Sequence, residues 1–357
     1  MMRTRCARFF WITTLVLAPA SLLAEAKKSG APIPQRDWKA HPAVVQVDTT
    51  EDILVLGDTH GDFDRLVPVL SAAKIISGKP TQPSAVSWSA GKAVMVITGD
   101  MIDKGKVSLQ VIAALRGLQS SAAAQGGHVV ITMGNHEAEF LADPAGKKTS
   151  EFQAELKAAG MVPADVAACQ GDLGAFLCSL PAAARVNDWF FCHGGNTGGL
   201  SIGDLEKSVE NGYAKDGYAA NAFIDDNSIL EARLNDKGPA GLPWIYNGNK
   251  DTDPKTLLGG YVESLGVKHL VQGHQPGNVK FVDGKERKKG ELYQRWGLYF
   301  LIDGGMSKGV NDSRGGSLRI SGSSNPTAIA TCFDGSQTVL WDGKTNQGDG
   351  KVRCGKP

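Results

Sequence analysis

The chain has 357 residues, 42% hydrophobic and 21% charged, an ordinary globular composition that allows a sizeable core in one large domain or two small ones. Thirty-eight Lys and Arg against thirty-seven Asp and Glu leave a formal charge of +1, which excludes an overall field drawing the chain to nucleic acid polymers or anionic lipid. Attraction for an anionic substrate must then be local.

At the N-terminus, Arg3, Arg5 and Arg8 precede an apolar run from Phe9 to Ala24, closed by Ala24-Glu25-Ala26 and two lysines. This is the layout of a secretory signal peptide over residues 1–26. The run is short of the ~20 residues of a spanning helix and contains Pro19. The expectation is an exported, periplasmic or secreted protein without stable membrane insertion. Export would place five cysteines in an oxidising compartment. Cys169 with Cys178 and Cys332 with Cys354 are the expected pairs by proximity, although spacing alone does not fix connectivity. Cys192, inside Trp189-Phe190-Phe191-Cys192, reads as a buried core thiol.

Residues 27–50 read as a lead-in, 51–342 as the folded domain and 343–357 as a C-terminal tail. Short apolar strands recur at 53–57, 93–98, 128–133, 189–192, 269–272 and 299–302, several too apolar to have one face in water. Helical spacing marks 62–75 and 107–123, so the chain layers as α/β. The stretches 144–182 and 201–240 read as helical or irregular insertions suited to a substrate-facing cap, and short β patterns follow at 328–333 and 337–341.

Five strands end in polar motifs: Gly57-Asp58-Thr59-His60-Gly61-Asp62, Gly99-Asp100-Met101-Ile102-Asp103-Lys104-Gly105, Gly134-Asn135-His136-Glu137, His193-Gly194-Gly195 and Gly273-His274-Gln275. Singly, each reads as a turn or a satisfied histidine. Together they place metal-type side chains after successive strands, where open α/β sheets bind ligands. Asp58 and His60, two positions apart on extended backbone, can reach one cation together. His41, His128 and His269 have no such partner motif and read as core or surface residues.

The ordered set GDTHG, GDMIDKG, GNHE, HGG and GH resembles the calcineurin-like phosphoprotein phosphatases, a branch of the metallophosphoesterases, over roughly residues 52–310. Ser87-Trp88-Ser89-Ala90-Gly91-Lys92 and Ile302-Asp303-Gly304-Gly305-Met306-Ser307 resemble the bacterial-type (Shewanella-like) branch. The resemblance implies a β-sandwich flanked by helices, with two divalent or mixed-valence transition metal ions (Mn, Fe or Zn) at the carboxyl ends of the strands. Asp58 and His60 would hold the first metal, Asp100 would bridge, and Asn135, His193 and His274 would complete the second. Two divalent ions against two carboxylates and a bridging hydroxide leave a net positive site that favours a phosphate dianion. Hydroxide would attack phosphorus in line, His136 would protonate the leaving group, and Asp103 would orient His136. The implied function is a metal-dependent phosphatase acting on phosphoproteins or small phosphoesters.

Two positions depart from the family pattern. Lys104 stands where an Arg grips phosphate, and Asn247, in Pro243-Trp244-Ile245-Tyr246-Asn247-Gly248, stands where a second Arg is expected. Lysine keeps charge but loses the planar two-point clamp. Another Arg such as Arg233 could supply the contact, the substrate could be a nucleotide, dinucleoside polyphosphate or phosphodiester, or turnover could be slow. A metal-bound, non-catalytic phosphate-binding protein is the alternative of a different class. Asn311-Asp312-Ser313 also fits a glycosylation sequon.

Overall fold

The computed structural model describes residues 33–234, 243–322, 324–343 and 348–355, so the expected signal peptide lies outside the described residues. In chain order the strands are β1 Val44–Val47, β2 Ile53–Leu56, β3 Val94–Ile97, β4 His128–Ile131, β5 Ala183–Val186, β6 Trp189–Cys192, β7 His269–Gln272, β8 Val279–Lys280, β9 Glu286–Arg287, β10 Glu291–Arg295, β11 Tyr299–Leu301, β12 Gly316–Ile320, β13 Ala328–Cys332, β14 Gln337–Trp341 and β15 Asp349–Arg353. They form a sheet ordered β1-β5-β6-β7-β11-β10-β15, a sheet ordered β14-β13-β12-β2-β3-β4 and a separate β8-β9 hairpin. All six strands anticipated from apolar runs are present.

Alternation of side chains builds the layers. Ile53 and Val55 of β2 and Val94 and Val96 of β3 pack with Phe191, Val271 and Phe300 in one core between the sheets. Their neighbours Leu54, Leu56, Met95 and Ile97 face the outer core, with Leu66 and Leu70 of helix α1 (Phe63–Ala72) and Val111 and Leu115 of helix α2 (Ser108–Ala123). Both faces of these strands are therefore covered, which is why they lack polar alternation. The result is a two-sheet sandwich flanked by helices, as the resemblance implied. Because β2, β3 and β4 run parallel in register, the loops that leave them all emerge at one edge.

The lead-in and tail need correction as regions outside the fold. Within the lead-in, β1 pairs parallel to β5, and within the tail β15 pairs antiparallel to β10. Val44-Val45-Gln46-Val47 is half exposed at the sheet edge, and β15 is mostly polar, so neither carries the continuous apolar run of a central strand. The 144–182 insertion contains helices α4 Ser150–Ala158, α5 Pro163–Ala167 and α6 Gly171–Ser179, following α3 Asn135–Ala142. The described part of 201–240 contains α7 Ile202–Asp216 and α8 Asn221–Ile224. Cys169 is bonded to Cys178 and Cys332 to Cys354, as proximity suggested, and Cys192 is a buried free thiol. Asn311 of the sequon donates its amide N–H to the Pro276 carbonyl at 2.7 Å.

His269 is a core histidine, stacked on Trp189 at 3.9 Å between ring centroids and edge-on to Trp341. Burial drives its pKa down to about 4, although Nδ1 is bonded to the Gly297 carbonyl. The unfolded imidazole titrates near 6.5, so between these values the unfolded state binds more protons and stability rises with pH. Acidification from pH 7 to about 4 should therefore cost about 3 kcal/mol through this group. Chemical denaturation of His269→Asn across the same range checks this: the variant's stability should fall less steeply by that amount.

Candidate metal centre

The loops that follow β2, β3, β4, β6 and β7 bring Asp58, His60, Asp100, Asn135, His193 and His274 together in one buried cluster. His193 is its densest point. Its Nε2 lies 3.2 Å from Asp100 Oδ2, 3.1 Å from Asn135 Oδ1 and 2.9 Å from His274 Nδ1. On the other side, His60 Nε2 lies 3.5 Å from Asp100 Oδ2 and 3.9 Å from Asp58 Oδ2. Asp100 thus stands between the two groups, where a bridging carboxylate is expected.

The second nitrogen of each ring is committed to backbone. His60 Nδ1 faces the Ile102 carbonyl at 3.1 Å, His193 Nδ1 the Thr98 carbonyl at 2.6 Å, and His274 Nε2 the Glu231 carbonyl at 3.0 Å. A neutral imidazole has a single N–H, and each is directed at a carbonyl. In neutral rings the nitrogens that face each other and the carboxylates would then be lone pairs, open to a cation in place of a proton. Such a set suits a cation, and carbonyl-oriented histidines are the usual outer support of metal ligands. The residues present therefore fit the metal centre that the family implies.

Electrostatics agree with the geometry. Burial would push Asp100 up, but His193, His136 and His60 hold it well below the usual carboxylate range. Burial would lower His193, but Asp100 and Asp58 outweigh it and hold the imidazole up at about 10. A positive charge is what these carboxylates draw to this point, as a proton or as a metal ion. Burial, His193 and Arg233 all keep His274 well below its ordinary value, so it remains a neutral donor.

Several of these residues hold left-handed backbone: φ is 43° at His60, 53° at Asp100, 60° at Asp103, 61° at Lys104 and 59° at His274. Non-glycine residues avoid this region, and such strain gathers at functional sites. Two structural features stabilise it. Glu137 accepts N–H bonds from Gly134, Asp100, Met101 and Ile102 at 2.8, 2.9, 2.7 and 3.2 Å, joining the β3 and β4 loops. Burial and the nearby Asp100 push this carboxyl up to about 7 against those four donors. Gly134 permits the approach, since a Cβ there would lie 2.2 Å from Asp100 Oδ1.

His136 lies at the same edge, its backbone N–H donated to Asp100 Oδ1 at 3.0 Å and its ring edge-on to His60. Its ring atoms come as near to His60 and Asp100 as those of a ligand would. Its Nδ1 faces Asp103 Oδ2 at 3.3 Å, while Asp103 Oδ1 accepts the Phe152 N–H at 2.9 Å. Burial opposes the charged ring, but Asp100 and Asp103 raise its pKa above the ordinary value. Lys104 and Asn247 are both exposed, and Asn247, at φ 47°, ends the turn Trp244–Tyr246.

The inserted segment 229–234 contributes what the motifs did not reveal. Glu231 Oε1 accepts from the Asn135 amide at 3.1 Å and from Lys148 Nζ at 3.1 Å, while its carbonyl holds His274. Arg233 Nη1 donates to the His274 carbonyl at 2.9 Å. A Cβ on Gly194 would lie 2.8 Å from the Leu230 carbonyl carbon, so the glycine of HGG lets this segment close over the centre. The sequence names Arg233 as a candidate phosphate contact, but Glu231 carries no motif or spacing signal.

Residues 52–278 match the family model described as calcineurin-like phosphoesterase. The chain is 40% identical over 85 residues to an uncharacterised protein of Schizosaccharomyces pombe, covering 24% of each. It is 27% identical over 128 residues to Shewanella-like protein phosphatase 2 of Arabidopsis thaliana, covering 35% of this chain and 31% of that one. With Shewanella-like protein phosphatase 1 of Plasmodium berghei it shares 26% over 272 residues, 72% of this chain and 68% of the relative. The matches thus span about a quarter and a third of the first two relatives. A crystal structure of a cold-active protein-tyrosine phosphatase of a psychrophilic Shewanella species superimposes with a TM-score of 0.60 at 20% identity, covering 84% of this chain and 83% of that one. At that identity the likeness is one of fold.

Proposed function

Since this chain belongs to the calcineurin-like phosphoesterase family, in its Shewanella-like branch, we propose that it is a dinuclear-metal phosphatase hydrolysing phosphomonoesters. The observation that carries this reading is the pair of ring nitrogens, His193 Nε2 and His274 Nδ1, facing each other at 2.9 Å beside Asp100 and Asn135, with the far nitrogen of each ring on a backbone carbonyl. Asp58, His60 and Asp100 would hold one cation and Asp100, Asn135, His193 and His274 the other. When bound, two such ions lower the pKa of a water nucleophile and polarise the phosphoryl oxygens.

The chain's own groups supply the rest. His136, whose hold on a proton Asp100 and Asp103 strengthen, is placed to give a proton to the departing oxygen, and the Asp103 contact at Nδ1 orients the ring. Lys104 and Asn247 lack the arginine fork, and Arg233 is our choice for the planar donor because, among the described residues, the His274 carbonyl takes one of its N–H groups. Names of the relatives favour phosphoproteins as substrates, and the two disulfides favour an exported enzyme.

Elemental analysis of purified protein should find about two transition-metal ions per chain, and chelation should abolish hydrolysis of p-nitrophenyl phosphate. Full activity in metal-free protein would end this reading. Arg233→Lys should weaken inhibition by inorganic phosphate by roughly 10- to 100-fold, the loss of one charge-assisted contact, at unchanged metal content. Unchanged phosphate inhibition would instead leave the grip to Lys104.

A further inference from the structure

Asn135 differs from the other expected ligands in that the two ends of its side chain are chemically opposite. The amide oxygen carries lone pairs that can hold a cation, whereas the NH₂ group, almost the same size, offers only hydrogens. Packing alone cannot tell the two ends apart, so a hydrogen bond has to make the choice. Asn135 is fully buried, and its Oδ1 faces His193 Nε2 at 3.1 Å.

The other end of the amide meets a carboxylate. Asn135 Nδ2 donates to Glu231 Oε1 at 3.1 Å, its one hydrogen-bond acceptor among the described residues. An ionised carboxylate accepts and does not donate, so it can hold the NH₂ end but not the oxygen. Glu231 is itself buried and firmly seated. Its N–H goes to the Ser228 hydroxyl at 3.1 Å, and the neighbouring Ile229 carbonyl accepts the Gly194 N–H at 2.6 Å. Its own carbonyl lies 3.0 Å from His274 Nε2. One residue therefore steers two of the groups gathered round His193, Asn135 through its side chain and His274 through its backbone.

Ion pairing with Lys148 is the competing explanation for a carboxylate here. Lys148 Nζ lies 3.1 Å from Glu231 Oε1 and 3.4 Å from Oε2, and it is bonded to Glu139 as well. The Lys148 side chain is 45% exposed, and an ion pair so placed contributes little. Glu139 already supplies it with a counter-charge. A carboxylate serving that lysine alone would be better left in water than buried against an amide.

We propose that Glu231 is a positioning residue of the metal centre, holding the Asn135 NH₂ group so that the amide presents its oxygen to the cation of the His193 half. The inference rests on the dinuclear reading above and asks of Glu231 no contact with metal or substrate. Without the carboxylate, the amide is free to turn over and meet the cation with its hydrogens.

The test uses the full chain and Mn²⁺ as probe. Calorimetric titration should give two ions per chain for the wild type. For Glu231→Ala, one of the two sites should weaken by roughly 10- to 100-fold, the loss expected when the partner of a ligand is removed. Glu231→Gln should bind both ions nearly as the wild type does, because one oxygen can still accept from both Asn135 and Lys148, as Oε1 does now. A Gln variant as weak as the Ala variant would overturn the proposal, since charge and not amide orientation would then set the affinity. An Ala variant with two wild-type affinities would overturn it equally. Should Glu231→Ala not fold, Glu231→Leu fills the space without accepting a hydrogen bond and makes the same comparison. A wild type that binds fewer than two ions would overturn the parent reading instead.

Discussion

Asp100→Asn should lose turnover of p-nitrophenyl phosphate by on the order of 10³-fold or more, together with most of its metal. Asp100 comes nearer to both candidate histidine groups than Asp58 does, 3.5 Å from His60 Nε2 and 3.2 Å from His193 Nε2 against 3.9 Å from each ring for Asp58. It also accepts the His136 N–H, so it aligns the proton donor as well as the cations. The amide keeps the shape and one acceptor oxygen but removes the charge that draws cations to both halves. Because Asp100 is also the strongest influence raising His193, the variant's His193 should titrate far nearer its ordinary value, visible by NMR of the metal-free protein. Wild-type metal content and rate in Asp100→Asn would refute a bridging role.

His136→Asn should lower kcat by roughly 10²- to 10⁴-fold at unchanged metal content, the range expected for a lost general acid. The second clause matters, because His136 lies near enough to His60 and Asp100 to be mistaken for a ligand. If metal content fell in step with rate, His136 would be a ligand and the donor would have to be sought elsewhere. Asp103→Asn offers a finer check. Asp103 raises the His136 pKa through a 3.3 Å contact. Its loss should therefore move the alkaline limb of the kcat profile to lower pH, since the imidazole would give up its proton sooner. A substrate with a good leaving group should suffer less from either change, because it needs less help from an acid. Equal losses for p-nitrophenyl phosphate and an alkyl phosphate would argue against proton donation.

The strands that carry the motifs were legible because each is buried on both faces, and burial of that kind leaves an apolar run in a short window. Ile53–Leu56 and Val94–Ile97 are examples. Edge strands leave no such trace: β1 alternates with solvent and β15 is largely polar, so residues 44–47 and 349–353 read as lead-in and tail. Their place in the sheet depends on partners, Ala183–Val186 and Glu291–Arg295, that are remote in the chain.

A similar division holds within the centre. The types and spacing of Asp58, His60, Asp100, Asn135, His193 and His274 are local facts, because a strand end followed by a tight Gly turn must present its next side chains at the sheet edge, and sequence alone determined them. It also determined the α/β layering, through apolar strand runs and helical spacing, while the two-sheet sandwich was implied by the family resemblance. The left-handed backbone at His60, Asp100 and His274, the four N–H bonds on Glu137 and the hold of Glu231 on Asn135 and His274 were decided only by tertiary structure. These depend on contacts across dozens of residues, in which a carboxylate is recognised by what surrounds it and not by its neighbours in the chain.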